Sequence, residues 1–154
     1  MKEITLTRGK IALVDDDDFE WLSKFRWRAY RNQCGCWYAR RGESSIFMHR
    51  EILGEPLGVE VDHRDGDGLN NQRYNLRLAT HSQNLCNRGK QRNNTSGYKG
   101  VSWFKRVGKW HARIQINGRD KHLGYFDILE EAARAYNVAA LEHFGEFAKL
   151  NEIP

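Results

Sequence analysis

The sequence predicts an α+β protein in two modules, and three observations carry the prediction. Short apolar runs broken by turn residues fill the first half, a strictly alternating strand leads into an Asn-Gly turn in the second, and a long alanine-rich helical stretch follows that turn. Between the halves, NRGKQRNNTSG from Asn87 to Gly97 is polar, basic and free of large apolar residues, so it reads as a linker. Modules are therefore expected at 1–87 and 98–154, joined by a basic linker over 88–97.

The first module opens with strands expected at Ile4 to Leu6 and Ile11 to Val14, separated by the turn pair Arg8-Gly9. The acidic run Asp15 to Asp18 reads as a solvated turn, with Asp18 as N-cap of a helix over Phe19 to Lys24. Further strands are expected at Phe25 to Tyr30, Trp37 to Arg40 and Ile46 to Met48, punctuated by Asn32 to Gly35 and Gly42. Gly58 to Val61 then alternates like a strand and ends at Asp62-His63; after a turn-rich loop, NLRLA from Asn75 to Ala79 resumes as a strand. Thr80 with Gln83 three residues on is a capping box, so a helix starts there. The order is strand, loop, strand, helix.

In the second module, KWHARIQI from Lys109 to Ile116 points Trp110, Ala112, Ile114 and Ile116 one way and Lys109, His111, Arg113 and Gln115 the other. Asn117-Gly118 favours the positive φ angles of a type I′ turn, which leads to a third strand over Arg119 to Tyr125. Asp127 with Glu130 begins a helix that runs from Ile128 to Phe144 and stops at Gly145. Its inward stripe, Leu129, Ala132, Ala133, Tyr136, Ala139 and Ala140, is small enough to lie close against a sheet. The module is thus a three-stranded antiparallel sheet packed on one helix.

A chain of 154 residues, 40% apolar, has material for one medium core or two small ones. No apolar run approaches bilayer length, and MKEITLTRGKIALV lacks the parts of a signal peptide. The cysteines Cys34, Cys36 and Cys86 cannot all pair within one chain, which fits a reducing compartment, and Cys34-Gly35-Cys36 lacks the spacing and second pair of a zinc site and reads as a hairpin tip. The net charge of +5 is unevenly spread: from Arg88 to His122 numerous lysines and arginines face a single acid, Asp120. Such a block attracts polyanions through counterion release.

The chemistry concentrates in VDHRDGDGLNNQRYNLRLATHSQN, Val61 to Asn84. Hydrolysis of a phosphodiester needs a base to activate water and a cation to stabilise charge on the phosphate. Asp62, His63 and Asn84 supply an imidazole base and two hard oxygen ligands. Asp65-Gly66-Asp67-Gly68 lacks the closing Glu of a calcium loop, so Asp65, Asp67, Asn70 and Asn71 read as turn formers. His49 reads as a structural hydrogen bonder and His81 as exposed at a helix start, while Arg64, Arg73 and Arg77 either position phosphates or solvate the surface.

Val61 to Asn84 resembles the HNH endonucleases, particularly the phage and intron homing type whose motif reads Asp-His, then Asn, then Asn. The resemblance implies a ββα-metal module in which His63 is the general base, Asn75 ties the loop between the strands as part of the catalytic set, and Asp62 and Asn84 hold one Mg²⁺ or Mn²⁺. It extends loosely upstream to Met48-His49-Arg50. The blocks SGYKGVSW, GKWHARI, HLGYFD, EEAARAYNVAA and FAKLN resemble the AP2/ERF DNA-binding domain over Ser96 to Asn151, a family that lays its sheet in the DNA major groove. That implies a DNA face of Lys99, Ser102, Lys105, Arg106, Lys109, Arg113, Gln115, Arg119 and His122, the last standing where plant members have Trp.

The expectation is a metal-dependent DNA endonuclease of phage or mobile-element type. It nicks double-stranded DNA as a monomer in the cytoplasm of a bacterial or phage-infected cell, with no membrane partner. The competing expectation is a DNA-binding regulator with a relic nuclease module. RNA binding ranks third, because no exposed aromatic stacking platform is evident in the sequence.

Overall fold

The computed structural model describes every residue except Ser44, Gln91 and Arg92, so that part of the expected linker lies outside the described residues. The chain divides into two compact units, Met1–Asn84 and Leu85–Pro154.

In the first unit β1 (Lys2–Thr5) pairs antiparallel with β2 (Ile11–Val14), and Arg8 and Gly9 at the tip both take positive φ. Helix α1 runs Asp16–Leu22, three residues earlier than the expected cap allowed: Asp15 occupies the N-cap position. Asp18, expected as that cap, is instead buried inside the helix because Arg73 pairs with it at 2.7 Å. Strands β3 (Arg28–Arg31), β4 (Trp37–Arg41) and β5 (Ile46–Phe47) form an antiparallel sheet, and Met48, read as strand, begins the short helix α2 (Met48–Ile52). The core gathers Val14, Leu22, Trp27, Ala39, Met48 and Ile52, with Val61 and Leu76 reaching in from the next sheet. Trp27 donates its indole N–H to Leu22 O at 2.9 Å, which satisfies the one polar atom that its burial would otherwise orphan.

That next sheet is the antiparallel pair β6 (Glu60–His63) and β7 (Leu76–Ala79), followed by α3 (His81–Cys86). The capping box forms as expected: Gln83 Oε1 accepts from Thr80 N at 2.8 Å, and Thr80 Oγ1 accepts from Gln83 N at 3.3 Å.

In the second unit β8 (Val101–Phe104), β9 (Lys109–Ile116) and β10 (Arg119–Phe126) form a sheet of order β10-β9-β8, backed by α4 (Leu129–Phe144). Asn117 and Gly118 both take positive φ, as a type I′ hairpin requires. The alanine stripe is buried, with Ala132, Ala133 and Ala140 fully covered, so the helix lies close to the strands. Gly100 shows how close: a Cβ there would stand 2.1 Å from the Tyr136 ring, and its φ of +76° suits glycine. Among the described residues no helix is long and apolar enough to cross a membrane.

Candidate active site

Long-range contacts from β2 and α1 shape the loop between β6 and β7. Leu13 N donates to Leu69 O at 2.9 Å, and Asn71 N donates back to Leu13 O at 2.8 Å, so β2 holds the loop by its backbone. Asp15 accepts from Arg73 N at 2.7 Å, and Asp18 takes the Arg73 guanidinium. The acidic run read as a solvated turn is therefore divided: Asp16 and Asp17 are exposed, whereas Asp15 and Asp18 fasten this loop. Within it Asp65 Oδ1 accepts from Asp67 N and Asp67 Oδ1 accepts from Leu69 N, the local turn bonds expected of both residues. Asn75, 1% exposed, donates to Asp65 Oδ1 and Asn70 O and accepts from Asp65 N, so its amide ties both ends of the loop.

Successive residues of β6 point to opposite faces. His63, 5% exposed, has its Nε2 3.3 Å from Asn71 Oδ1. Asn71 donates its Nδ2 to Leu69 O, so its oxygen is the atom turned to the imidazole. Nε2 therefore carries the ring proton and Nδ1 the basic lone pair. Burial pushes His63 below the ordinary imidazole range, against the Asn71 contact and the nearby carboxylates of Asp65, Asp62 and Asp67, which pull it up. A neutral ring is the form that accepts a proton. Asn71, read as a turn former, is fully buried and orients the histidine.

His49 packs edge-on to His63 with ring centroids 4.9 Å apart, between Phe47 and Tyr38. It was expected to be a structural hydrogen bonder, yet its buried Nδ1 has no hydrogen-bond partner among the described residues. Burial and the neighbouring His63 lower its pKa to about 3.

On the other face Asp62, 4% exposed, pairs with its cross-strand neighbour Arg77 at 2.7 Å. Arg77, left open between phosphate contact and solvation, is itself buried and neutralises Asp62. Asn84 donates its Nδ2 to Glu60, and His81 Nδ1 lies 2.7 Å from the same carboxylate. Glu60 was not singled out, although strand periodicity puts it on the face of Asp62. Among the described residues there is no cluster of three His, Cys, Asp or Glu side chains spaced to hold a metal. The donors that share this face are two carboxylates and an amide, an oxygen set that suits Mg²⁺ or Mn²⁺ in chemical type.

In the second unit the exposed sheet face carries Ser102, Arg113, Gln115 and His122, while Lys105 and Arg106 sit in the β8–β9 turn. Lys109 and Arg113 form exposed ion pairs with Asp127 and Asp120, which cost little to open for phosphate. Arg119 is opposite Ile116 in register and so lies on the face away from Gln115. Lys99 turns inward: its Nζ donates to Cys86 O and Arg88 O at 2.6 Å each, and burial lowers its pKa to about 8.

The same face holds His111 and His122, as expected, and two aromatic rings not expected there, Phe104 and Tyr125. Phe104, His111, His122 and Tyr125 form a contiguous row with centroids 4.7–6.1 Å apart, and His111 Nε2 meets His122 Nδ1 at 2.8 Å. A register shift between His122 and Gly124 turns both His122 and Tyr125 outward, which uninterrupted alternation would not do.

An antiparallel strand pair running into a helix, with Asp-His at the end of one strand and an asparagine closing the loop, defines a ββα-type endonuclease. The chain belongs to the HNH endonuclease family. The family's sequence profile matches residues 50–86. An uncharacterized HNH endonuclease of Acanthamoeba polyphaga mimivirus is 34% identical over 152 residues, 95% of this chain and 77% of that protein. Protein 3.8 of Escherichia phage T7 is 37% identical over 94 residues, 61% of this chain and 77% of that protein. The AP2-like resemblance is also found: APETALA2-like protein 2 of Oryza sativa is 40% identical over 60 residues, 39% of this chain but 14% of that protein. The chain is a nuclease with a DNA-binding part similar to the plant proteins, and DNA is its partner.

Proposed function

We propose that the chain is a divalent-metal-dependent endonuclease of the homing type that nicks double-stranded DNA. The observation that carries this reading is the buried His63 at the end of β6, whose Nε2 lies 3.3 Å from Asn71 Oδ1 and whose burial holds it below the ordinary imidazole range. In this reading His63 takes a proton from the attacking water, and Asn75 keeps the loop in the shape that presents it. Asp62 and Asn84 hold one Mg²⁺ or Mn²⁺, with Glu60 beside them. When bound, such an ion would stabilise charge on the scissile phosphate.

Boundaries at 1–87 and 98–154 with a linker over 88–97 assign cutting to the first module and duplex holding to the second. Arg113, Gln115, Ser102 and His122 meet the major groove, and Lys105, Arg106 and Lys109 take phosphates. Arg119 belongs to the backbone contacts, and Lys99 supports the first strand from behind. One active site per monomer cuts one strand at a time, and the phage and viral relatives favour the cytoplasm of an infected cell.

The test is incubation of supercoiled plasmid with purified protein and Mg²⁺ or Mn²⁺. Relaxed circles that disappear with EDTA and with His63→Ala, while duplex binding persists, are the expected result. Tight binding with no relaxed product under any metal would leave a DNA-binding regulator as the better reading.

A further inference from the structure

Two hairpins of the first unit bring three cations to one indole. The β1–β2 tip supplies Arg8 and Lys10, and the end of β3 supplies Arg31; their charged atoms lie 5.8, 5.2 and 5.7 Å from the Trp37 ring centroid. The β1–β2 tip is fastened to β3, since Thr7 Oγ1 accepts from Ala29 N at 3.0 Å. Arg8 is held at a φ of 61°, a conformation uncommon outside glycine and asparagine. Gly35 lets Arg31 fold back over its own turn: Arg31 Nε donates to Gly35 O at 3.2 Å, and a Cβ on Gly35 would press to 3.3 Å of the guanidinium.

Among the described residues none of the three cations forms an ion pair with a carboxylate. Like charges gathered on one ring without a counterion repel one another, and the missing component is an anion. The group also borders the proposed catalytic loop. Lys10 and Trp37 line an open cleft of about 470 Å³ whose other wall is Asp65 to Leu69. Gly68 is pressed so close to β4 that a Cβ would lie 2.3 Å from Trp37 O, and the adjacent Tyr38 ring is 6.0 Å from His63. The carboxylates of Asp65 and Asp67 on the far wall would repel phosphate, so a nucleic-acid backbone follows the cation rim and not the cleft floor.

We propose that Arg8, Lys10 and Arg31, arrayed around Trp37, form a phosphate clamp in the nuclease unit itself. It grips the DNA backbone flanking the cut, separately from the C-terminal sheet. This rests on the reading of the chain as a DNA-cutting enzyme, and the experiment separates the two. Duplex affinity of the full chain is measured by fluorescence anisotropy across a salt series in EDTA, for wild type and for Arg8→Ala/Lys10→Ala/Arg31→Ala, alongside plasmid nicking.

The expected result is a folded variant whose affinity falls about tenfold or more. The slope of log affinity against log salt flattens by about 2–3, because each lost phosphate contact removes roughly 0.9. An unchanged slope in a folded variant overturns the clamp while leaving the nuclease reading intact. Absence of any duplex binding by the wild type overturns both. Flattened slope with no nicking by any protein sinks the nuclease reading and keeps the clamp. Should the triple variant fail to fold, Arg31→Gln alone reads the same quantity, with an expected flattening of about 1.

Discussion

His63 Nε2 and Asn71 Oδ1 stand 3.3 Å apart in a pocket where the asparagine has no exposed surface. The contact fixes both the ring's orientation and its tautomer, so Asn71 acts on the proton transfer through His63. Asn71→Ala is expected to lower kcat for nicking by about 10–100-fold, the range seen when an orienting partner of a functional histidine is removed, with little change in KM. Asn71→Asp keeps an acceptor in place and should recover most of the loss. Equal losses in both variants, with unaltered melting temperatures, would show that the contact does not orient the base.

Asp62 and Arg77 form a buried ion pair, and breaking one side of such a pair strands the other charge. Asp62→Ala should destabilise the first unit by about 3–5 kcal/mol in urea unfolding. The apolar pair Asp62→Leu/Arg77→Met should recover much of that stability and none of the cutting. That pattern would separate the structural role of Asp62 from its proposed role toward the metal; a stable double variant that still nicks would remove Asp62 from the catalytic set.

Local signals were legible: the Thr80–Gln83 capping box, the Asn117-Gly118 hairpin and the alternation of β9 all rest on neighbours in sequence, and each forms. What stayed hidden depends on distant chain. Asn71 looks like any turn asparagine until Leu13 pins its backbone and His63 meets its side chain. Asp15 and Asp18 look like a solvated acidic run until Arg73 arrives from the far loop. Glu60 was recoverable from period-two spacing to Asp62, but the partners that mark it, His81 and Asn84, come from the following helix. The exposed aromatic row needed the register shift, which the pattern of β10 does not announce.

His49 makes a pH prediction. Its pKa of about 3 in the folded protein lies below the ordinary 6.5, so the unfolded chain binds the proton first. Stability from this group is complete above about pH 6.5 and is lost as pH falls toward 3. Between pH 6.5 and 5 the loss should be about 2 kcal/mol, at roughly 1.36 kcal/mol per unit. His63, also lowered by burial, adds in the same direction. Urea midpoints measured from pH 7 to pH 5 should fall steeply in the wild type and less steeply in His49→Phe; identical slopes would mean that the ring charges without cost.

The aromatic row on the C-terminal sheet makes a prediction about base preference. Phe104 and Tyr125 stack with planes 30° apart and centroids 5.4 Å apart, and His111 and His122 continue the row at similar angles. Side chains on a sheet stand roughly upright, so rings stacked on one another spend their faces on each other and turn their edges outward. Edges suit the floor of a major groove, where the thymine methyl is the apolar feature. Unpaired bases need open faces, so this row does not favour single strands despite being exposed. Replacing thymine by deoxyuridine throughout a bound duplex removes those methyls and little else. At about 0.8 kcal/mol per buried methyl, two contacts correspond to roughly a tenfold loss of affinity. Phe104→Ser/Tyr125→Ser should bind both duplexes alike. Tighter binding to a single strand than to the duplex would show that the ring faces, not their edges, meet the nucleic acid.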